Sequence, residues 1–160
     1  MDEAERGFLI GALVGTAYEA IGQRVTARIG AEGGEALRRG QTDVFRFLPP
    51  EGGRVTDLAA IAGTSKQAMG YIVGGLVERG YLVQEPDPED GRAQIVRRTE
   101  RGWEVNRAAR RAVLEVQAEW TEILGAERME LLMDLLRDLA THLGAEYPGS
   151  IAEVSMREAG

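Results

Sequence analysis

Between Pro49 and Gly102 the chain cannot settle into long regular elements, because turn-forming residues interrupt it every few positions. Pro49-Pro50 closes one helical stretch, since a residue preceding proline is pushed out of the helical region. Glu51-Gly52-Gly53 reads as a turn and Arg54-Val55 as a brief strand. Thr56 is placed to cap a short helix over Asp57 to Ala62, with the Asp57 carboxylate favoured in its first turn. Gly63 ends that helix, Thr64 or Ser65 caps the next, and Gly80 stands as the C′ glycine just after Arg79. Tyr81 to Glu85 and Ala93 to Arg98 read as two strands joined by an acidic turn. Two helices around a tight glycine turn form a helix-turn-helix, and a hairpin directly after them adds a wing.

Both flanks are helical. Leu9, Leu13, Ala17, Ile21, Val25 and Ile29 recur every four residues and predict a helix from Phe8 to Ile29, broken by Gly30 to Gly34. A second helix is expected over Glu35 to Leu48, with Gly40 as its point of interruption. Thr99-Glu100 opens a long helix whose stripe is Val105, Ala109, Val113, Val116, Trp120 and Ile123. Gly125 separates it from a last helix carrying Met129, Leu132, Leu135, Leu136, Leu139 and Leu143. The expected fold class is mainly α with a small β-hairpin wing: a winged helix-turn-helix plus a helical region.

Composition removes several functions. The chain has no cysteine, which excludes disulfides and thiolate metal sites, and its one histidine, His142, argues against zinc binding and histidine-centred catalysis. Glycine-rich "GALVG", "GAEGG" and "GYIVGG" neither follow a strand nor open a helix as a phosphate cradle requires. With no nucleophile–base pair either, the protein is not expected to be an enzyme, nor to need a cofactor or metal. No stretch approaches the roughly 20 apolar residues of a membrane span. Met1-Asp2-Glu3 does not resemble the start of a signal peptide, so a soluble cytoplasmic protein is expected. The net charge of −7 is unevenly spread, because Arg54 to Arg111 holds ten basic and eight acidic residues. That window is basic relative to its flanks, and it contains the only lysine, Lys66.

Val55 to Gly102, about a third of the chain, resembles the winged helix of MarR-type bacterial transcriptional regulators. The matching pieces are Asp57-Leu58-Ala59, Gly63-Thr64-Ser65-Lys66, Leu76 with Glu78-Arg79-Gly80-Tyr81, Asp87-Pro88-Glu89-Asp90-Gly91-Arg92, and Thr99-Glu100-Arg101-Gly102. The resemblance implies a homodimeric repressor or activator on palindromic double-stranded DNA. Residues 1–34 would be an N-terminal dimerisation helix, 35–98 the DNA-binding part, 99–145 the C-terminal dimerisation helices and 146–160 a flexible tail. It also implies release by a small aromatic or phenolic effector. Tyr18, Phe45 and Trp103 lie on the elements that would surround such a ligand.

The second helix of the motif belongs in a major groove. Met69, Ile72, Val73 and Leu76 share one face and should pack inward, leaving Ser65, Lys66, Gln67, Gly70, Tyr71 and Gly74 outside. Lys66 suits guanine acceptors or a phosphate, Gln67 adenine, and Tyr71 a phosphate or thymine methyl. Amides near Thr64 and Ser65 suit a phosphate at the helix start. Arg92, at the hairpin tip, suits a minor groove, with Asp90 expected to hold its guanidinium by a forked hydrogen bond. Arg54 and Arg97 are candidates for backbone contacts. The helix departs from the family at Gly70 and Tyr71, where hydroxyl and basic residues are common. Arg98 is another departure, standing where leucine is usual, with its stem expected to bury and its head to escape. The acidic total and the glycine-bearing helix keep an alternative open, a winged helix serving protein–protein contact without DNA.

Overall fold

A computed structural model of the chain describes residues 3–32 and 37–144. In order, its elements are α1 (Glu3–Ala31), α2 (Arg39–Phe47), β1 (Gly53–Arg54), α3 (Val55–Ile61), α4 (Lys66–Glu78), β2 (Leu82–Pro86), β3 (Gln94–Arg98), α5 (Glu100–Leu124) and α6 (Ala126–His142). The fold is mostly helical with a small antiparallel sheet of strand order β1-β3-β2. Among the described residues no helix is long and apolar enough to cross a membrane.

Local chemistry sets most of the boundaries. Ser65 caps α4, its Oγ accepting the Ala68 N–H at 3.1 Å, and Thr99 caps α5 by accepting from Gly102 at 3.2 Å. Gly80, at φ +73°, closes α4: its N–H donates to Val77 and that of Tyr81 to Leu76, both at 2.9 Å. This is the paired 5→2 and 6→1 closure that a left-handed residue permits. Gly63 closes α3 in the same manner, with Thr64 donating to Ala59 at 3.0 Å.

Several boundaries differ from expectation. The brief strand is Gly53–Arg54, not Arg54-Val55, because Gly53 and Arg54 pair with Val96 and Ile95. The helix therefore starts at Val55 with Arg54 as its N-cap, and Thr56 lies inside it. The hairpin strands begin one residue later than expected, since Tyr81 is spent on the close of α4. The first helix continues through Gly30 to Ala31. The second starts at Arg39, where the Arg38 N–H donates to the Gln41 side chain at 3.0 Å, and Gly40 does not interrupt it. Residues 33–36, which include the expected start at Glu35, and the tail 146–160 lie outside the described residues.

The core gathers where α2, α3, α4 and the sheet meet α5. Val44, Leu48, Leu58, Met69, Val73, Leu76, Tyr81, Leu82 and Val96 are almost wholly buried. The long helices lie antiparallel, and three ion-pair rungs set their register: Arg24–Glu119 at 2.7 Å, Arg28–Glu115 and Glu32–Arg111. Half-exposed pairs add little stability; what they specify is alignment. On α5 the buried positions are Gly102, Val105, Ala108, Ala112 and Val116, whereas Ile123 from the expected stripe is 77% exposed. Only Met129 is buried on α6, and Leu131, Leu135, Leu136 and Leu139 are exposed, as are Leu9, Ile10, Leu13 and Val14 on α1.

The first turn of α5 touches backbone directly. A Cβ on Gly102 would lie 2.2 Å from the Tyr81 carbonyl oxygen, whereas one on Gly75 in α4 would meet nothing within 4 Å. The same substitution should thus have opposite signs at the two sites. Gly102→Ala should cost about 1–3 kcal/mol through overpacking, and Gly75→Ala should add up to about 1 kcal/mol of helix stability. Urea denaturation of both variants checks this; a stabilised Gly102→Ala would refute the close approach.

Candidate nucleic-acid interface

The helix-turn-helix presents its polar residues because its apolar ones have a defined sink. Met69, Val73 and Leu76 of α4 are buried and Ile72 is half-buried against the core, as the spacing requires. That leaves Thr64, Ser65, Lys66 and Gln67 exposed around the start of α4, and Tyr71 at 86% exposure one turn on. Gly70 sits between them with open space where a Cβ would be. The structure brings these six residues to one outer side of α4.

The wing places Asp90, Gly91 and Arg92 exposed at its tip. The forked Asp90–guanidinium bond does not form as expected. Instead Asp90 Oδ1 accepts the backbone N–H of Arg92 at 3.1 Å, and its carbonyl accepts from Ala93 at 2.8 Å. A two-residue separation in a tight turn brings a carboxylate onto the amide more readily than onto the end of a long side chain. The effect is to shape the turn while the Arg92 side chain points from an exposed tip.

The buried acid of the wing is Asp87, 5% exposed. Its Oδ1 accepts the Glu89 N–H at 2.9 Å, and its Oδ2 accepts Arg54 Nε at 2.7 Å. The Glu89 amide first, then the Arg54 guanidinium, hold its carboxyl below the ordinary carboxylate range. Arg54 is therefore tied to the wing base. Arg97 is also engaged, with Nε 3.2 Å from Glu85 and an amino group on the Glu51 carbonyl. These two arginines brace the sheet, whereas Arg92 is exposed at the wing tip and Lys66, Gln67 and Tyr71 are exposed on α4.

Arg98 contradicts the expectation that its head would escape. It is 9% exposed, and its guanidinium donates to the carbonyls of Phe45 (2.7 Å), Leu48 (2.6 Å) and Pro49 (2.9 Å) at the end of α2. A signal for this existed in the sequence: β3 alternates, so Val96 inward places Arg98 inward too, and Pro49 lacks the N–H that the Phe45 carbonyl would otherwise receive. Trp103 was expected beside a ligand space, yet it stacks under this guanidinium at 4.8 Å and does not line the cavity. Tyr18 and Phe45 do line it, between α1, α2 and α5. Tyr18 accepts a hydrogen bond from Arg46 at 2.9 Å and donates to Asp43 at 3.3 Å.

Residues 39–93, from α2 into the wing, match the sequence profile of the MarR family. That match spans about a third of the chain. Several solved structures superpose over most of the chain. Reduced MarR from E. coli aligns with 81% of this chain and 94% of its own, at 18% identity and a TM-score of 0.67. PcaV from Streptomyces coelicolor, in complex with its natural ligand, covers 88% and 96% at 22% identity and a TM-score of 0.61. CouR from Rhodococcus jostii RHA1, bound to p-coumaroyl-CoA, covers 82% and 91% at 24% identity and a TM-score of 0.62. At these identities the likeness carries the MarR fold. No curated protein sequence matches this one.

The wing base should be sensitive to acid. Because the Asp87 carboxyl titrates lower in the folded chain than in the unfolded one, its contribution is complete above about pH 5 and is lost as pH falls through the folded value. Asp87→Asn should therefore be less stable than the parent at pH 7, with the gap closing towards pH 3. Thermal melts across that range check it, and a gap that widens on acidification would contradict it.

Proposed function

We propose that this protein is a transcriptional regulator that binds a palindromic operator as a homodimer and is released by a small effector. The observation that carries the reading is the outer side of α4. Lys66, Gln67 and Tyr71 are exposed on a helix whose opposite face is locked into the core, with an exposed Arg92 on the neighbouring wing. A helix held this way suits a major groove, and an arginine on a hairpin tip suits the narrow, negative minor groove. Lys66 and Gln67 would read base edges, and Arg92 would enter the minor groove. The Thr64 and Ser65 amides would meet a phosphate beside Gly70. Arg54 would then position the wing through Asp87, and Arg97 would reach the backbone only from its place beside Glu85.

The exposed leucines of α1 and α6 support a second copy as the partner. Leu13 (59%), Leu135 (53%) and Leu139 (58%) belong to stripes that the described residues of one chain leave uncovered. In this reading residues 1–34 and 99–145 build the dimer, and 35–98 carry the DNA contacts. Two winged helices related by a two-fold axis would match two half-sites. The cavity lined by Tyr18 and Phe45 supports the effector, as do the ligands of PcaV and CouR.

Selection from a random duplex pool should yield palindromic winners. On the best of them Arg92→Ala should weaken binding roughly tenfold, and Lys66→Ala should weaken it and relax preference at one position in each half-site. Sedimentation should show both variants still dimeric. Unchanged affinity in Arg92→Ala, or the absence of any salt-sensitive duplex binding, would sink the reading and favour a protein-contact module.

A further inference from the structure

Tyr71 is the most exposed large apolar side chain among the described residues, at 86%. It stands on α4, apart from the α1 and α6 leucines that a second copy would cover. Among the described residues nothing gives its hydroxyl a hydrogen bond or its ring a stacking partner. Its neighbours on the helix leave it bare as well: Gly70, Gly74 and Gly75 carry no side chain, and a Cβ on any of them would meet nothing within 4 Å. At about 100° per residue, Gln67, Tyr71, Gly74 and Glu78 fall opposite the buried Met69, Val73 and Leu76. The ring therefore stands on the crest of the outer face, and it leans towards Gln67 because helical side chains tilt to the N-terminus. Glu78 is exposed on the same crest about 10 Å further along, where its charge repels phosphate. Only the first half of α4 is thus suited to close approach. When a helix lies in a major groove its crest faces the base edges on the floor, whereas the phosphates line the walls.

We infer that Tyr71 reads the 5-methyl group of a pyrimidine in the major groove, and that thymine supplies it in the operator. This rests on the regulator reading above and deepens it by naming the base and the group that is read. The methyl is the apolar group that base pairs present on that floor, and it marks a T·A pair apart from the others. An aromatic body suits it better than any hydrogen-bonding side chain does. The missing side chains at Gly70, Gly74 and Gly75 let the ring descend to it without the helix meeting the groove first. 5-Methylcytosine carries the same methyl, so the same contact accepts it in place of cytosine.

The test is fluorescence anisotropy of the full chain on the best palindrome from the random pool. Each thymine of one half-site is replaced in turn by deoxyuracil, which deletes the methyl and nothing else. At one of them the wild-type protein should bind about fourfold more weakly, the worth of one buried carbon. Tyr71→Ala should bind the parent duplex more weakly and lose nothing further on that uracil duplex, whereas Tyr71→Phe should keep the discrimination. With Tyr71 so exposed, neither substitution disturbs the core. At the same position 5-methylcytosine paired with guanine should bind better than cytosine paired with guanine, and no better than thymine paired with adenine. Discrimination that survives in Tyr71→Ala, or uracil duplexes that all bind like the parent, would overturn the inference. So would its loss in Tyr71→Phe, which would turn the contact into a hydroxyl on phosphate, and a 5-methylcytosine duplex bound more tightly than the thymine one would overturn thymine as the source. A chain that binds no duplex removes the regulator reading and this inference together; one that binds duplexes but is blind to the methyl loses the inference alone.

Discussion

One buried guanidinium holds together the place where every functional part of this chain meets. The end of α2 runs into Pro49-Pro50, so the Phe45 carbonyl faces a residue with no N–H to give. Arg98 supplies the missing donors, satisfying Phe45, Leu48 and Pro49 at once from the last position of β3. A cation at a helix C-terminus also meets the negative end of the helix dipole. Trp103, one turn into α5, lies against the guanidinium at 4.8 Å. A helix, a strand and the start of the next helix are thereby joined through a single side chain.

The placement of the outward residues follows from that joint and the turns around it. Thr99, next to Arg98, accepts from Gly102 and donates its hydroxyl to the Gly80 carbonyl at 2.7 Å, which ties the start of α5 to the end of α4. Close contact between Gly102 and Tyr81 leaves no slack there. With α4 gripped at its end and along its apolar face, Lys66, Gln67 and Tyr71 inherit a fixed orientation. Arg54 and Asp87 do the equivalent work for the wing, so Arg92 projects from a braced hairpin. The acidic excess of the chain lies outside Arg54 to Arg111, which holds ten basic and eight acidic residues, so the net charge of −7 does not fall on these elements.

What could be read from the sequence was what local chemistry decides. The glycine closures at Gly63 and Gly80, the caps at Ser65 and Thr99 and the inward face of α4 each depend on residues within one or two turns. Thr56 failed as a cap because pairing of β1 with β3 moved the helix start to Val55, a long-range effect. The partners of Asp87 and of the Arg98 guanidinium were hidden for the same reason, since they lie on other elements; Arg54 and Phe45 are more than 30 residues away. Asp90 was assigned to the guanidinium of Arg92 when the turn delivered it to the amide. The leucine stripe of α6 was legible, and among the described residues nothing covers it.

The most direct measurement is the stability of Arg98→Leu, which installs the residue that similar winged helices usually carry. If the guanidinium is the joint described, urea denaturation should show a loss of about 3 kcal/mol, because three buried carbonyls lose their donors together. Amide exchange should quicken first in the last turn of α2. A variant as stable as the parent, with that turn equally protected, would contradict it.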